Sequence, residues 1–223
     1  IQETTDGGFI LSGATSSYWA TDSLSRINDI QHGITNAIIA KVDTVGEPEW
    51  IKVFGGDMFE SAFNAGETDD GGYFFAGYTN SIGNGLYDFW LVKLDAFGNM
   101  EWEKTYGTAK ADVGLFGEIT SDGGYILTGY TILPNKTDKD FWLLKTNADG
   151  DSLWSSTFGN DANQSANRVI ELSNGGFVII GETRGDSTNN DILIIKTDEN
   201  GQEIWTKNIV ESNDDLVFSI KET

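Results

Sequence analysis

The chain has 223 residues, with 35 Asp and Glu against 14 Lys and Arg and a formal net charge of −21. A field of that sign repels phosphate backbones and anionic lipid surfaces, which argues against nucleic-acid and membrane partners, and it suits a soluble protein in a salt-exposed or calcium-rich exterior. There is no cysteine, hence no disulfide framework and no thiol nucleophile; one histidine is too few for a multi-histidine zinc site, and no apolar run is long enough to span a bilayer.

The chain opens on Ile1 in mid-repeat, as expected of a processed product or a piece of a longer chain whose export signal would lie outside it. The repeat shows first in Gly7-Gly8, which returns as Gly71-Gly72, Gly123-Gly124 and Gly175-Gly176, at steps of 64, 52 and 52 residues. A second marker, a tryptophan, falls at Trp50, Trp102, Trp154 and Trp205. A period near fifty residues with about four short strand-like runs per unit is the signature of a β-propeller, and predicts one all-β domain of four-stranded antiparallel blades. The units run approximately over residues 1–56, 57–108, 109–160 and 161–211, with 212–223 the first strand of a further or ring-closing blade.

Within a unit, the first strand is expected at residues 60–68, 112–120, 164–172 and 215–223, with small side chains such as Ala62, Gly114 and Ala166 where a crowded innermost strand needs them. An Asp/Asn-Gly turn follows, read as a two-residue hairpin whose glycine takes positive φ. No helix pattern follows these glycines, so a phosphate loop is not indicated. The second strand is YFFAGYT from Tyr73, YILTGYT from Tyr125 or FVIIGET from Phe177. The third, such as FWLVKLD from Phe89, has four apolar residues before its lysine, which predicts cover on both faces. A second turn ending in glycine precedes the outer strand and its tryptophan. These indoles read as staples between blades, each stabilising by about 2–3 kcal/mol.

Lys41, Lys93, Lys145 and Lys196, and the strand-opening Asn36, Asp88, Asp140 and Asp191, recur in every unit. A catalytic residue has no reason to appear four times, so they are assigned to buried hydrogen bonds and ion pairs that fix strand ends. The first unit departs from the pattern. Gly13 to Asn36 spans 23 residues where Gly77 to Asp88 spans 11, and the extra loop carries Tyr18, Trp19, Arg26 and His32. Those four, with Tyr87 at the equivalent loop of the second unit, are the candidate binding residues, on the face opposite the tight turns. The alternative for this loop is a surface excursion that covers an edge. IQET at Ile1 and IKET at Ile220 are the same stretch of the repeat twice over. Either four blades close with one copy displaced, or these are successive blades of a larger ring, which the ill-respected unit boundary favours.

Asp112, Tyr125, Gly129, Tyr130, Thr131, Asp140, Lys145, Gly150, Trp154 and Gly159 make the third unit resemble the bacterial and archaeal β-propeller repeat of secreted and cell-surface proteins, often described as seven-bladed. The likeness covers nearly the whole chain; it implies that fold and an extracellular setting, and no uniform activity. A weaker similarity to the tryptophan-docking repeat of quinoprotein dehydrogenases lacks the cysteine pair and has a turn of different length.

The expected function is therefore a non-catalytic extracellular binding or scaffold module for a protein or carbohydrate partner, with self-assembly or attachment to other domains of a longer chain also compatible. The alternative is a propeller hydrolase or lyase using carboxylates, with Ca²⁺ as cofactor. The segments at 147–152 and 186–191 resemble calcium loops loosely and lack the spacing of a full ligand set. Two sequons, at Asn135 and Asn163, fall in expected loops and are candidate glycosylation sites.

Overall fold

The computed structural model describes residues 1–16, 35–184, 189–210 and 213–223. It is all-β, with no helix among the described residues. The first sheet contains β1 (Gln2–Glu3), β2 (Phe9–Thr15), β3 (Asn36–Val42) and β4 (Pro48–Phe54); the second β5 (Glu60–Glu67), β6 (Tyr73–Thr79), β7 (Asp88–Leu94) and β8 (Met100–Tyr106). The third contains β9 (Asp112–Ile119), β10 (Tyr125–Thr131), β11 (Asp140–Thr146) and β12 (Ser152–Phe158); the fourth β13 (Asn163–Glu171), β14 (Phe177–Arg184), β15 (Asp191–Thr197) and β16 (Glu203–Ile209). Within each sheet, every strand pairs antiparallel with its neighbour in sequence.

The period of two along a strand divides each middle sheet between two cores. Tyr73, Phe75, Trp90, Val92 and Leu94 pack with Ile10, Ala37 and Ile39 of the first sheet, whereas Phe74, Ala76, Phe89 and Leu91 pack with Tyr125, Leu127 and Leu144 of the third. A third core joins Phe141 and Leu143 to Val169, Phe177 and Ile179. Cover on both faces is seen in β7, buried along its whole length, but β3 and β15 alternate between buried and half-buried because each has a packed neighbour sheet on one face.

The tight turns differ from the expectation. Thr4 donates its amide to the Gly8 carbonyl and Gly7 donates to the Thr4 carbonyl, both at 2.9 Å, so the loop has three residues rather than two, with Gly7 at φ +82° as its last. The second glycine answers a different need: a methyl on Gly72 would lie 2.3 Å from the Leu94 carbonyl and 2.5 Å from Lys93 Nζ. That lysine crosses to the turn, pairing with Asp70 at 2.9 Å and Glu101 at 3.0 Å. Lys41 with Asp6 and Lys145 with Asp122 repeat the contact at 2.8 and 2.9 Å.

Three of the four repeat tryptophans behave as staples. Trp50, Trp102 and Trp154 lie against Tyr73, Tyr125 and Phe177 of the following sheet, with centroids 5.5, 6.0 and 5.7 Å apart. Trp205 is corrected: it is 38% exposed, on the outer strand of the fourth sheet. The expected strand over 215–223 also needs revision, since residues 213–223 form no strand. They still lie along the fourth sheet, through the Asp215 amide on the Asn190 carbonyl (2.8 Å) and Asn167 Nδ2 on the Val217 carbonyl (3.3 Å). Ser173 is held there by Glu222.

Candidate functional site

The two ends of the sheets differ in kind. At the tight-turn end the polar groups repeat from sheet to sheet. A cleft of about 420 Å³ between the second and third sheets is lined there by Asp70, Lys93, Glu101, Trp102 and Tyr125, among others. Burial pushes the Tyr125 phenol up to about 12, and the Lys93 ammonium is already engaged by two carboxylates. The 147–152 segment forms the β11–β12 turn: Asn147 Oδ1 accepts the Asp151 amide, and Asp151 pairs with Lys104 at 3.0 Å. Among the described residues no group of three or more His, Cys, Asp or Glu side chains is placed to hold a metal ion.

At the opposite end one equivalent pair of positions changes chemistry in every sheet. The residue after the second-strand glycine and the residue before the third strand are Ala14 and Thr35, Tyr78 and Tyr87, Tyr130 and Lys139, then Glu182 and Asn190. Tyr78 and Tyr87 meet edge to face at 5.2 Å. Lys139 Nζ stands 4.0 Å over the Tyr130 ring, and Asn190 Nδ2 donates to Glu182 Oε2 at 3.4 Å. Burial, followed by Tyr87 and Glu60, raises the pKa of Tyr78, and burial, followed by Tyr87, Tyr78 and Asp112, raises that of Tyr130.

The inner strands of the second, third and fourth sheets each add a bulge residue. β5, β9 and β13 each carry a bulge at the same place, between Ala62 and Asn64, opposite Thr128/Gly129, and between Ala166 and Arg168. Gly77, Gly129 and Gly181 permit it, since a methyl on any of them would lie 1.8–2.0 Å from an inner-strand carbonyl oxygen. The extra residues are Phe63, Leu115 and Asn167. Phe63 is 46% exposed and lies 5.8 Å from Tyr78, and Asn167 Nδ2 donates to Glu182 Oε1 at 3.0 Å. The result is a face graded from aromatic on the second sheet, through a cation over a ring on the third, to amide and carboxylate on the fourth.

Of the residues singled out from sequence, Tyr87 belongs to this face and is half-buried. Tyr18, Trp19, Arg26 and His32, and Asp186 of the second candidate calcium segment, lie outside the described residues. Asn135 is exposed beside a turn closed by the Lys136 amide on the Leu133 carbonyl. Asn163 is exposed but opens β13 instead of lying in a loop, and its Oδ1 accepts the Lys139 amide at 3.2 Å. Phe63, Tyr78, Tyr130, Lys139, Asn167 and Glu182 were not singled out. Aligning the units and asking which columns vary would have found the strand-end pairs; the bulge residues had no such signal.

No known family model matches the chain, and a search of curated proteins finds no significant match. The class that the fold and this face define is an all-β protein of four successively packed antiparallel sheets with one end chemically repetitive and the other varied.

Proposed function

We propose that the four sheets are successive blades of a β-propeller, and that the chain is a non-catalytic extracellular module that binds a glycan or protein partner on the face carrying Phe63, Tyr78, Tyr87, Tyr130 and Lys139. The observation that carries this reading is that equivalent positions at one end change chemistry in every unit, while Lys41, Lys93 and Lys145 repeat the same ion pair at the other. A rigid scaffold with a varied end is how binding groups are gathered. Half-buried aromatic rings with a polar rim offer contact area at small entropic cost, which suits the apolar faces of sugar rings or an interface hot spot.

The experiment is a glycan-array screen of the purified chain alongside the Tyr78→Ala/Tyr87→Ala double variant, followed by calorimetry on any glycan retained. Retention by the parent and at least tenfold weaker binding by the variant supports the reading. Equal retention by both removes the aromatic face from it, and retention of no glycan removes the carbohydrate form and leaves a protein partner.

A further inference from the structure

Three seams between neighbouring sheets are built alike. The amides of Glu60, Asp112 and Gln164 donate to the carbonyls of Thr35, Tyr87 and Lys139 at 2.8, 2.7 and 2.8 Å, which sets each inner strand beside the residue opening the preceding third strand. The residues so placed at the three seams are Asn36 and Glu60, Asp88 and Asp112, and Asp140 and Gln164, all of them buried. The first and third pairs join an acid to an amide, and Asp140 also takes Lys136 Nζ at 3.2 Å. The middle pair joins two acids.

Asp88 and Asp112 are 1% and 0% exposed. One oxygen of each is satisfied: Asp88 Oδ2 accepts the Asn84 and Gly85 amides at 2.9 and 3.2 Å, and Asp112 Oδ2 accepts the Thr108 amide and hydroxyl at 2.6 and 2.9 Å. Oδ1 of each has no hydrogen-bond partner. Both groups crowd the same point, since a methyl on Gly107 would lie 1.7 Å from Asp88 Oδ1 and 3.1 Å from Asp112 Oδ2.

The cations nearby are engaged elsewhere. Lys110 Nζ donates to the Lys136 carbonyl, Lys136 Nζ serves Asp138, Asp140 and the Asn160 carbonyl, and Lys139 covers the Tyr130 ring. The other titratable groups around the seam are the phenols of Tyr78, Tyr87 and Tyr130 and the carboxylate of Glu60, which accepts from Thr79, Ser81 and the Gly56 amide. Two ionised carboxylates would therefore be buried side by side with no counter-charge, an arrangement that folded proteins avoid by neutralising one of them.

We propose that Asp88 and Asp112 hold one proton between them, so that the seam between the second and third sheets is a proton-binding joint that weakens as the pair ionises. The direction at Asp88 agrees: burial is the main cause and raises its pKa against the lowering by the Gly85 and Asn84 amides, with the Asp112 charge adding to the rise. For an acid raised in the folded state, the stability it contributes is full below the ordinary aspartate value and is lost as pH rises through the raised one. Because the Asp112 amide also holds the Tyr87 carbonyl, the joint lies directly behind the aromatic face.

The test compares thermal melts of the parent and Asp88→Asn between pH 4 and 8, with EDTA or CaCl₂ present. The variant sets an amide beside an acid, as at the seam where a methyl on Gly55 would meet both Asn36 and Glu60. It should melt higher than the parent at pH 8, by about 2–4 °C or more, and lose that advantage towards pH 4. A pH-independent difference overturns the proposal. So does CaCl₂ raising the parent and not the variant at pH 8, because a metal ion rather than a proton would then neutralise the pair. If the variant does not fold, carboxyl-carbon NMR titration of the parent decides: one of the two carboxyls keeps a proton at pH 6 if the proposal holds, and both are ionised there if it fails.

Discussion

Ser173 grips Glu222 with both of its donors, the amide to Oε2 at 2.9 Å and the hydroxyl to Oε1 at 3.0 Å. Thr5 holds Glu67 and Ser121 holds Glu171 in the same fork, tying each tight turn to the inner strand of the next sheet. The remaining turn has Asp69, which would repel a carboxylate, and the residue standing opposite is Ile119. Ser121→Asp should therefore destabilise by about 1 kcal/mol, and adding Glu171→Ile should recover most of it. Urea melts of the two single variants and the double variant read this directly; additive effects would mean that the fork contributes nothing.

The glycine before each outer strand has two jobs, and they can be separated. Gly46 and Gly150 have φ of +86° and +75°, but a methyl on Gly46 meets nothing within 4 Å, whereas one on Gly150 would lie 2.8 Å from the Trp102 ring. Gly46→Ala should cost about 1 kcal/mol, for the left-handed backbone alone. Gly150→Ala should cost at least twice as much, because it also unseats the indole from the following sheet. Equal losses in denaturant melts would show that the staple is not under compression there.

The same control exists for the second-strand glycine. A methyl on Gly129 would fall 1.9 Å from the Val113 carbonyl, a backbone atom that cannot step aside, whereas on Gly13 it would be 3.7 Å from an Ile38 methyl group. Gly129→Ala should lose about 2–3 kcal/mol or fail to fold, and Gly13→Ala should be tolerated within about 0.5 kcal/mol. A fully folded Gly129→Ala with the parent's melting temperature would contradict the bulge geometry.

Acid should act on the tight-turn end. The Thr68 hydroxyl, then Lys93, hold Asp70 at about 2; burial opposes the shift at Asp122, but Thr120 and Lys145 bring it to about 2 as well. For carboxylates lowered in the folded state, the stability they contribute is present above the ordinary aspartate value and is lost as pH falls towards about 2. Melting temperature should fall between about pH 4 and pH 2, and Asp70→Asn with Asp122→Asn should flatten that limb while lowering stability at pH 7. An unchanged limb in the double variant would place the acid sensitivity elsewhere. The Asp88–Asp112 joint has the opposite slope, so the two effects separate on one pH profile.

How much of this was legible can be traced residue by residue. The double glycines, the Asp-Gly turns and the apolar runs beginning at Phe89 and Phe141 located β6, β7, β10 and β11 to within a residue, because turn chemistry and a period of two are local properties. The bulges were not legible: one inserted residue breaks the period, and what permits it is a glycine on the neighbouring strand. Phe63 thus passed as one more residue of an inner strand, when the bulge sets it beside Tyr78.

By itself the amino-acid sequence determined four units, most of their strands and the places of their turns, since each rests on neighbours within a few tens of residues and is written several times over. Only the tertiary structure decided that Trp102 is half-buried against Tyr125 while Trp205 is 38% exposed, that Ser173 meets Glu222, and that Asp88 meets Asp112 where the other seams have an amide. These depend on which sheet lies next to which. A repeated sequence gives every copy the same local instructions, and only packing tells the copies apart.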